Sequence, residues 1–237
     1  MTETAQDPEK GSENPAEALP GGERGDPRLA ALERQTRLTR SRYDRMALIY
    51  DLHEAPVERL LFSRWRTRLW SRVEGTSILE IGIGTGKNFP YHPHGMHVAG
   101  IDISERMMRR ARRRARRSAG QLDLRLMDAQ NLEFAADRFD SVVATFVFCS
   151  VRDAVQGLRE ARRALKPGGK ALFLEHVRLN YPLAGRAMDV VNPVAVRLTG
   201  VNINRNTVSN IEAAGFSVES VTRLLADLVL LIDARKI

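Results

Sequence analysis

The fold is decided by the stretch Ile78-Leu79-Glu80-Ile81-Gly82-Ile83-Gly84-Thr85-Gly86. Its first half is an apolar, β-branched run of the kind found in a central strand of a parallel sheet. Three glycines in five residues follow, and they let the backbone turn sharply and let a ligand lie directly against it. A helix that begins at such a turn points its unpaired N–H groups at the same place. The stretch therefore predicts a buried strand, a glycine turn and a ligand site.

Glycine turns between a strand and a helix are common, so this stretch alone does not identify the ligand. A dinucleotide-binding turn has the spacing G-x-G-x-x-G. Here the spacing is G-x-G-x-G, with Glu80 two residues ahead of Gly82. The rest of the chain has to decide between these alternatives.

Length and composition fit one domain with a tail. The chain has 237 residues, 43% of them hydrophobic, which is enough for one sizeable core. No apolar run is long enough for a membrane-spanning helix. The single cysteine, Cys149, excludes an internal disulfide and fits a reducing compartment, and no Cys/His cluster has the spacing of a zinc site. We therefore expect no metal and a cytoplasmic location.

Charge is distributed unevenly along the chain. Residues 1–26 contain seven acidic and two basic residues, a formal charge of −5. Because the whole chain carries +8, the remaining residues carry +13. A strongly basic body indicates an anionic neighbour, such as a phospholipid surface, a nucleic acid or an acidic substrate.

The pattern predicts three regions. Residues 1–26, rich in Glu, Gly, Pro and Ala, are predicted to be a disordered acidic tail. Residues 27–75 have helical periodicity and are predicted to form an N-terminal helical cap. This cap either packs on the domain or serves as a lid or as an amphipathic membrane surface. Residues 76–237 are predicted to form the main domain.

Strands and helices alternate along the main domain. Strands are predicted at 78–83, 97–102, 122–127, 139–146, 170–177, 217–224 and 228–234. Helices are predicted at 104–118, 153–165, 183–198 and 206–214, with a turn at 166–169. This alternation indicates a doubly wound, parallel α/β sheet. The two closing runs, joined by a short link, predict a terminal hairpin whose last strand is antiparallel.

Acidic residues follow two neighbouring predicted strands, at the edge where a doubly wound sheet binds its ligand. Asp102 can accept hydrogen bonds from a ribose diol, and Asp128 can accept one from an adenine amino group. Taken singly, Asp102 also fits a helix N-terminal acid beside the cap residue Ser104, and Asp128 fits a solvated loop residue. Together with the glycine turn, the two acids indicate an adenosine held across neighbouring strands, with no phosphate to bind.

The ordered set of motifs resembles the class I S-adenosylmethionine-dependent methyltransferases. The motifs occupy residues 79–86, 100–104, 127–129, 139–140, 165–169 and 215–216, and the resemblance covers about residues 43–235. The resemblance implies a Rossmann-like, doubly wound sheet of seven strands, mostly parallel with the last strand antiparallel. N-terminal helices precede this sheet in the predicted fold.

The resemblance also implies S-adenosylmethionine as the cofactor. It implies Asp102 on the ribose hydroxyls, Asp128 with the Ala129 backbone on adenine, and Glu80 with the glycine turn around the methionine part. The complete predicted set of cofactor-binding residues is Glu80, Gly82, Gly84, Thr85, Gly86, Asp102, Ile103, Asp128, Ala129 and Thr145. Because the cofactor sulfonium is already activated, alignment can supply most of the catalysis, and a base is needed only for a protonated acceptor.

The acceptor is predicted from two further stretches. Thr145-Phe146-Val147-Phe148-Cys149 lacks the Asn/Asp-Pro-Pro-Tyr/Phe motif typical of methyltransferases that act on adenine or on glutamine amides, which disfavours a nucleic-acid partner. Residues 42–45 and 49–51, including Tyr50, resemble the N-terminal motif of bacterial phosphatidylethanolamine N-methyltransferases and of ubiquinone/menaquinone C-methyltransferases. This resemblance implies a lipid-like acceptor, a phospholipid amine first and a quinone ring carbon second. It also implies Tyr50 over the cofactor, although ordinary helix packing explains that residue equally simply.

Glu175 and His176 follow the fifth predicted strand, where they are expected to face the acceptor. A histidine there can take a proton from an ammonium or a phenol, whereas a satisfied polar pair under a loop is the simpler interpretation. With Tyr50, these two residues form the predicted catalytic set. The apolar insertion at 183–198 either lines a groove for an acyl or prenyl chain or covers the sheet. Arg205, in the loop that follows, is of a residue type that can bind a phosphate.

The segment from Arg106 to Arg117 contains eight arginines in twelve residues. At helical spacing they nearly encircle a helix outside the stripe Met107, Met108, Ala111 and Ala115. This helix is either a solvated outer face or a patch for a membrane surface or a nucleic acid. Because no aromatic side chains are present for stacking on bases, lipid headgroups are favoured over single-stranded RNA. The solvated face is the simpler interpretation; if the helix is instead a binding patch, we expect a peripheral contact with anionic membrane through Arg106–Arg117.

Two other classes of protein fit parts of the sequence. A nicotinamide-dependent oxidoreductase has no particular use for Asp128 and needs a different glycine spacing. A non-catalytic basic scaffold that binds RNA or membrane does not need the glycine turn together with both acids. The sequence makes no prediction of the oligomeric state.

Overall fold

The computed structural model describes residues 62–237 except positions 119, 180, 200, 201, 203 and 226, and it also describes Ser41. The predicted acidic tail lies outside these described residues. Except for Ser41, so does the part of the predicted helical cap at 27–61, which includes Tyr50.

The described chain is built around one sheet of seven strands with the order β3-β2-β1-β4-β5-β7-β6. The strands are β1 Ser77–Ile81, β2 His97–Asp102, β3 Gln121–Leu126, β4 Phe139–Thr145, β5 Leu165–His176, β6 Phe216–Leu224 and β7 Val229–Lys236. The helices are α1 Ser63–Trp70, α2 Glu105–Ala115, α3 Ala154–Ala164, α4 Pro182–Thr199 and α5 Thr207–Ala213, with a short 3-10 helix at Phe89–Tyr91.

Apolar side chains cover both faces of the sheet, as expected for a doubly wound fold. On one face, Leu79 and Ile81 of β1 belong to the core that includes residues of α3 and α5. On the other face, Ile78 packs in the core that contains Leu69 and Trp70 of α1. The described end of the predicted helical cap is therefore part of the domain core.

The strand directions confirm the predicted fold class. Strands β1 to β5 pair in parallel, whereas β7 pairs antiparallel with both β5 and β6. The last strand is thus the antiparallel one, and β6 and β7 form the predicted terminal hairpin. Because the order along the sheet reverses between β1 and β4, the carboxyl ends of these strands form the crevice in which such sheets bind ligands.

The sequence predicted that a turn at 166–169 precedes the fifth strand, and this prediction was wrong. Strand β5 already begins at Leu165, which pairs with Phe139, and the next paired residues are Lys170 and Ser141. Residues 166–169 are therefore a bulge inside the strand pairing, with Gly168 at φ +71°. A glycine takes this left-handed conformation without the penalty that a Cβ atom imposes.

The described residues contain neither a membrane-spanning helix nor a cluster of metal-binding side chains. No helix there combines the length and the apolar character needed to cross a bilayer. Within the same residues, His, Cys, Asp and Glu side chains form no group of three or more suited to a metal ion.

Candidate functional site

One cavity lies at the carboxyl edge of the sheet, between the ends of β1, β2 and β4 and the loop after β3. The structure brings seven of the ten predicted cofactor-binding residues into its lining: Gly82, Gly84, Asp102, Ile103, Asp128, Ala129 and Thr145. The other three, Glu80, Thr85 and Gly86, lie behind the lining. Motifs that are up to 63 positions apart in the sequence thus meet because parallel strands end at the same edge.

Asp102 ties the glycine turn to the second strand. Its Oδ2 accepts a hydrogen bond from the backbone N–H of Gly84 at 2.8 Å, and its Oδ1 accepts one from that of Ser104 at 2.8 Å. Ser104 is also the side-chain cap of α2, accepting from the N–H of Met107. The two bonds to Asp102 hold the carboxylate at the cavity in one orientation.

The second acid is held in the same way by its own loop. The Oδ1 of Asp128 accepts from the backbone N–H of Gln130 at 2.9 Å, and the Gln130 side-chain amide donates to both carboxylate oxygens at 3.1 and 3.2 Å. Asp128, Ala129 and Gln130 all line the cavity. The loop after β3 therefore presents a fixed acceptor group beside backbone amides, which is the recognition surface that an adenine edge requires.

Glu80 is fully buried and belongs to a polar network beneath the glycine turn. Its Oε1 accepts from Nδ2 of Asn88 at 2.6 Å, and its Oε2 lies 2.9 Å from Nε2 of His92. Asn88 also donates to Oγ1 of the cavity-lining Thr145 at 3.1 Å and accepts from Nη1 of Arg66 at 2.6 Å. The prediction that Glu80 contacts the methionine part stays a prediction, because both carboxylate oxygens have partners inside the protein.

Thr85 and Gly86 belong to the glycine turn but do not line the cavity. Thr85 is buried, and Nη1 of Arg114 in α2 donates to its carbonyl oxygen at 2.9 Å and to its hydroxyl at 3.2 Å. Gly86 has φ +81°, and a Cβ atom there would overlap the ring of Phe89. One arginine of the basic helix therefore holds the glycine turn in place.

The end of β4 forms an aromatic wall beside the cofactor residues. Phe146 lines the cavity, and its backbone is in the left-handed region at φ +57°. Its ring stacks on that of His176, with centroids 4.4 Å apart and planes at 23°, and it also packs near Phe62 at 5.1 Å. A bulky residue with positive φ costs free energy, and such residues concentrate at functional sites. Sequence reasoning missed Phe146, because no local motif marks a left-handed phenylalanine.

Glu175 supports this wall from behind. It is fully buried, and its Oε1 accepts from the backbone N–H groups of Val147 and Phe148, each at 2.9 Å. Burial raises the pKa of the Glu175 carboxyl to about 7, and burial together with this carboxylate raises the pKa of the neighbouring Cys149 thiol well above its ordinary value. The structure thus gives Glu175 the geometry of a positioning residue.

His176 and Arg205 do not meet the cavity directly. Among the described residues that line the cavity, neither Glu175 nor His176 occurs, and the imidazole lies behind the ring of Phe146. The predicted catalytic roles of both residues therefore stay predictions. The Nη2 of Arg205 donates to the carbonyl oxygens of Val151 and Arg152 at 2.8 and 3.2 Å, so this guanidinium organises the loop after β4.

Arg152 is a second residue that sequence reasoning missed. It lines the cavity, and its Nη1 is buried without a hydrogen-bond partner among the residues that the structure describes. A buried guanidinium nitrogen without a partner is costly, and because Arg152 lines the cavity this nitrogen is available to a ligand group that enters it. No sequence signal distinguished this arginine from the many others in the chain.

The residues present fit the cofactor implied by the motifs. Gly84 has φ +55°, and the place where its Cβ would lie is empty to 4 Å, so a ligand can approach this backbone closely. Asp102 would hold the ribose, Asp128 and Ala129 the adenine, and the glycine turn the methionine part. When bound, S-adenosylmethionine supplies an activated methyl group on its sulfonium.

A mostly parallel seven-stranded sheet with this order, a glycine turn after β1 and an acid after each of β2 and β3 defines a nucleoside-binding site of the methyltransferase type. Residues 79–173 match the family model described as "Methyltransferase domain". A solved S-adenosylmethionine-dependent methyltransferase from Thermotoga maritima, a possible histamine N-methyltransferase, shares the fold, with a TM-score of 0.65 and 21% identity. The similarity covers 83% of this chain and 99% of that one.

Two curated relatives extend the match. The phosphatidylethanolamine N-methyltransferase of Cereibacter sphaeroides is 36% identical over 124 residues, which are 51% of this chain and 61% of that protein. The human thiol S-methyltransferase TMT1A is 32% identical over 192 residues, which are 78% of this chain and 77% of that protein. The chain therefore belongs to the class I S-adenosylmethionine-dependent methyltransferases, and the predicted family is confirmed.

Proposed function

We propose that this chain transfers the methyl group of S-adenosylmethionine to the amine of a phospholipid, with phosphatidylethanolamine as the first candidate. The carrying observation is the buried Nη1 of Arg152, which has no hydrogen-bond partner among the described residues, in a cavity wall that also contains the apolar residues Phe146, Val147 and Val151. Such a wall suits a lipid-like acceptor, and a guanidinium suits the phosphate that joins its headgroup to its acyl chains.

Phe146 supports an amine as the methyl acceptor. This residue lines the cavity beside Thr145, at the same edge as the glycine turn. The face of an aromatic ring attracts an ammonium group, more strongly where water is excluded. Phe146 and Val147 would thus orient the headgroup and keep water away, and the hydrogen bonds from Val147 and Phe148 to Glu175 would hold this wall in place.

One relative is named for the proposed acceptor, and another is named for a different one. The Cereibacter sphaeroides protein is named for phosphatidylethanolamine, but the aligned region spans 61% of its length. The human relative, aligned over 77% of its length, is named for thiols, which makes thiol S-methylation the second candidate. Methylation of a quinone ring carbon, implied by the motif around Tyr50, is the third. A quinone and a simple thiol carry no phosphate for Arg152.

The experiment supplies S-adenosylmethionine with a radiolabelled methyl group to the purified full chain. Three acceptors are offered separately: phosphatidylethanolamine in phosphatidylcholine vesicles, a demethylated quinone and a small alkyl thiol. We expect label in the phospholipid. Arg152→Gln should raise KM for the phospholipid about tenfold or more, while KM for the cofactor stays within twofold, because one charge-assisted hydrogen bond is removed. Label only in the thiol or the quinone would overturn the proposed acceptor.

The matched control is Arg159→Gln, an exposed arginine on α3. It should leave both KM values unchanged. Binding of S-adenosylhomocysteine with no transfer to any of the three acceptors would contradict the proposal and favour a non-catalytic scaffold.

A further inference from the structure

Helix α4 exposes an apolar stripe. Leu183 is 84% exposed, Val190 77%, Val194 57% and Val191 52%. At 100° per residue, Leu183, Ala187, Val190 and Val194 fall within about 60° of the helix circumference, and Val191 borders this stripe. Scattered single apolar residues are normal on a protein surface, but a continuous stripe along one helix is not.

Positive charge flanks the stripe, and its one acid points elsewhere. Arg186 and Arg197 are exposed, and helical spacing places both within about 70° of the centre of the stripe. Asp189 is the only acidic residue in α4, and it lies on another side of the helix. Its carboxylate accepts from the guanidinium of Arg178 at 2.8 Å and from the Asn204 amide at 3.1 Å. The exposed face is therefore apolar and cationic.

The basic helix α2 has a different surface. Six arginines in α2 or directly after its end are exposed: Arg106, Arg109, Arg112, Arg113, Arg116 and Arg117. Its apolar residues Met107, Met108 and Ala111 are buried at 0–1% exposure. This helix can attract an anionic surface through its charges, but it offers no apolar face to insert. Only α4 combines both features in one described helix.

Helix α4 is also connected to the cavity wall. The segment after it returns to the end of β4, where the backbone N–H and the side-chain amide of Asn202 both donate to the carbonyl oxygen of Cys149, at 2.9 and 3.1 Å. Arg205 then donates to the carbonyl of Val151, which lines the cavity. A partner seated on α4 would therefore lie against an element that is hydrogen-bonded to the loop bordering the site.

We propose that the exposed face of α4 docks on the surface of an anionic phospholipid bilayer. An amphipathic helix with flanking arginines binds there by burying its apolar stripe at the headgroup boundary. The stripe from Leu183 to Val194 is only about 16 Å long. That is too small for the roughly 800 Å² per partner that a stable protein interface buries. The bilayer, which adds charge attraction over a wider surface, fits the observations better than a second copy.

The test uses the full chain without cofactor and vesicles that contain no amine acceptor, so its outcome does not depend on the proposed methyl transfer. Co-sedimentation is measured with vesicles of phosphatidylcholine alone and of phosphatidylcholine with phosphatidylglycerol. We expect binding to the anionic vesicles. Val190→Glu/Val194→Glu should weaken it about tenfold or more, because two apolar side chains leave the interface and two charges are added.

The matched control is Arg112→Ala/Arg113→Ala in α2, which lowers the net charge by the same two units. It should weaken binding clearly less than the α4 variant. An equal loss of binding in the two variants would show that net charge alone causes vesicle binding, and it would overturn the proposal. An absence of binding by the unmodified chain would overturn it as well. A dimer that the α4 variant dissociates would overturn it in favour of self-association. Circular dichroism and binding of S-adenosylhomocysteine check that both variants are folded.

Discussion

The backbone N–H of Gly84 donates a hydrogen bond to Oδ2 of Asp102 over 2.8 Å. This bond joins the glycine turn after β1 to the acid after β2, which are separated by 18 positions in the sequence. Because the carboxylate is fixed by protein donors, it would lose little conformational entropy on binding the predicted ribose. The turn and the acid therefore form one preorganised unit.

Asp102→Ala should lower the affinity for S-adenosylhomocysteine at least about 100-fold. The variant loses two charge-assisted hydrogen bonds to the ribose hydroxyls, each worth about 1.5–3 kcal/mol, and it releases the Gly84 amide. Isothermal titration calorimetry measures the effect. Asp123→Ala, in which an exposed acid paired with Arg125 on β3 is removed, should bind normally. Equal affinities of the two variants would show that the ribose lies elsewhere.

Two glycines of the turn should respond differently to alanine. Gly82→Ala should cost about 3 kcal/mol in the free energy of unfolding, because its φ of +68° is strained for alanine and the new Cβ overlaps Val147. Gly84→Ala should cost only about 1 kcal/mol, since the space is empty. Its methyl group would instead enter the cavity and weaken cofactor binding. Thermal unfolding and calorimetric titration separate the two effects, and the reverse ranking in stability would refute this geometry.

Asn88→Ala should destabilise the fold by about 3 kcal/mol. The amide bridges Arg66, Glu80 and Thr145, and its removal takes hydrogen bonds from two buried charged groups. Urea unfolding measures the loss against Gln121→Ala, at an exposed position in β3. A loss below about 0.5 kcal/mol, typical of surface substitutions, would mean that the network contributes little.

Arg114→Ala should destabilise the glycine turn, whereas Arg113→Ala should not. Only Arg114 donates to the carbonyl and hydroxyl of Thr85 among the hydrogen bonds described for these two arginines. We expect a loss of about 1–2 kcal/mol in unfolding free energy for the first variant and none for the second. Both remove one charge from the same helix, so an equal change in the two would trace the effect to net charge.

Glu175 should make the protein less stable at alkaline than at acidic pH. Its pKa in the folded state is raised to about 7 by burial, above the ordinary carboxyl value of 4.5. The folded state therefore holds the proton more tightly. The stabilisation this gives is complete below about pH 4.5, and it is lost as pH rises through 7, by about 3 kcal/mol.

Glu175→Gln keeps an acceptor for the Val147 and Phe148 amides but cannot ionise. The melting temperature of the variant, relative to that of the unmodified chain, should therefore rise by several degrees between pH 5 and pH 8. The comparison between the two proteins cancels the titration of all other groups. A difference that stays constant over this range would show that Glu175 is ionised throughout.

The sequence predicted those parts of the fold and site that local motifs encode. Strand periodicity, the glycine turn and the acids after β2 and β3 each occupy a few consecutive residues, and the alternation of elements then places their ends at one edge. The direction of the last strand followed from the same pattern. These features need no knowledge of packing.

Contacts between distant residues could not be predicted in this way. Glu80 carries the expected position for a cofactor contact, yet its carboxylate is bound by Asn88 and His92, which no spacing rule connects to it. Phe146 adopts positive φ because tertiary contacts with His176 and Phe62 hold it there, against its local preference. The bulge at 166–169 resembled a simple turn because its glycines suit both structures.

The insertion of β7 between β5 and β6 has a consequence for synthesis on the ribosome. Strand β6 emerges first, but among the described strands it pairs only with β7, which is made later. Until β7 has emerged, β5 keeps an unpaired edge, and the apolar residues of β6 have no neighbouring strand. Completion of the sheet must therefore wait for residues 229–236, and the nascent chain exposes an aggregation-prone edge up to that moment.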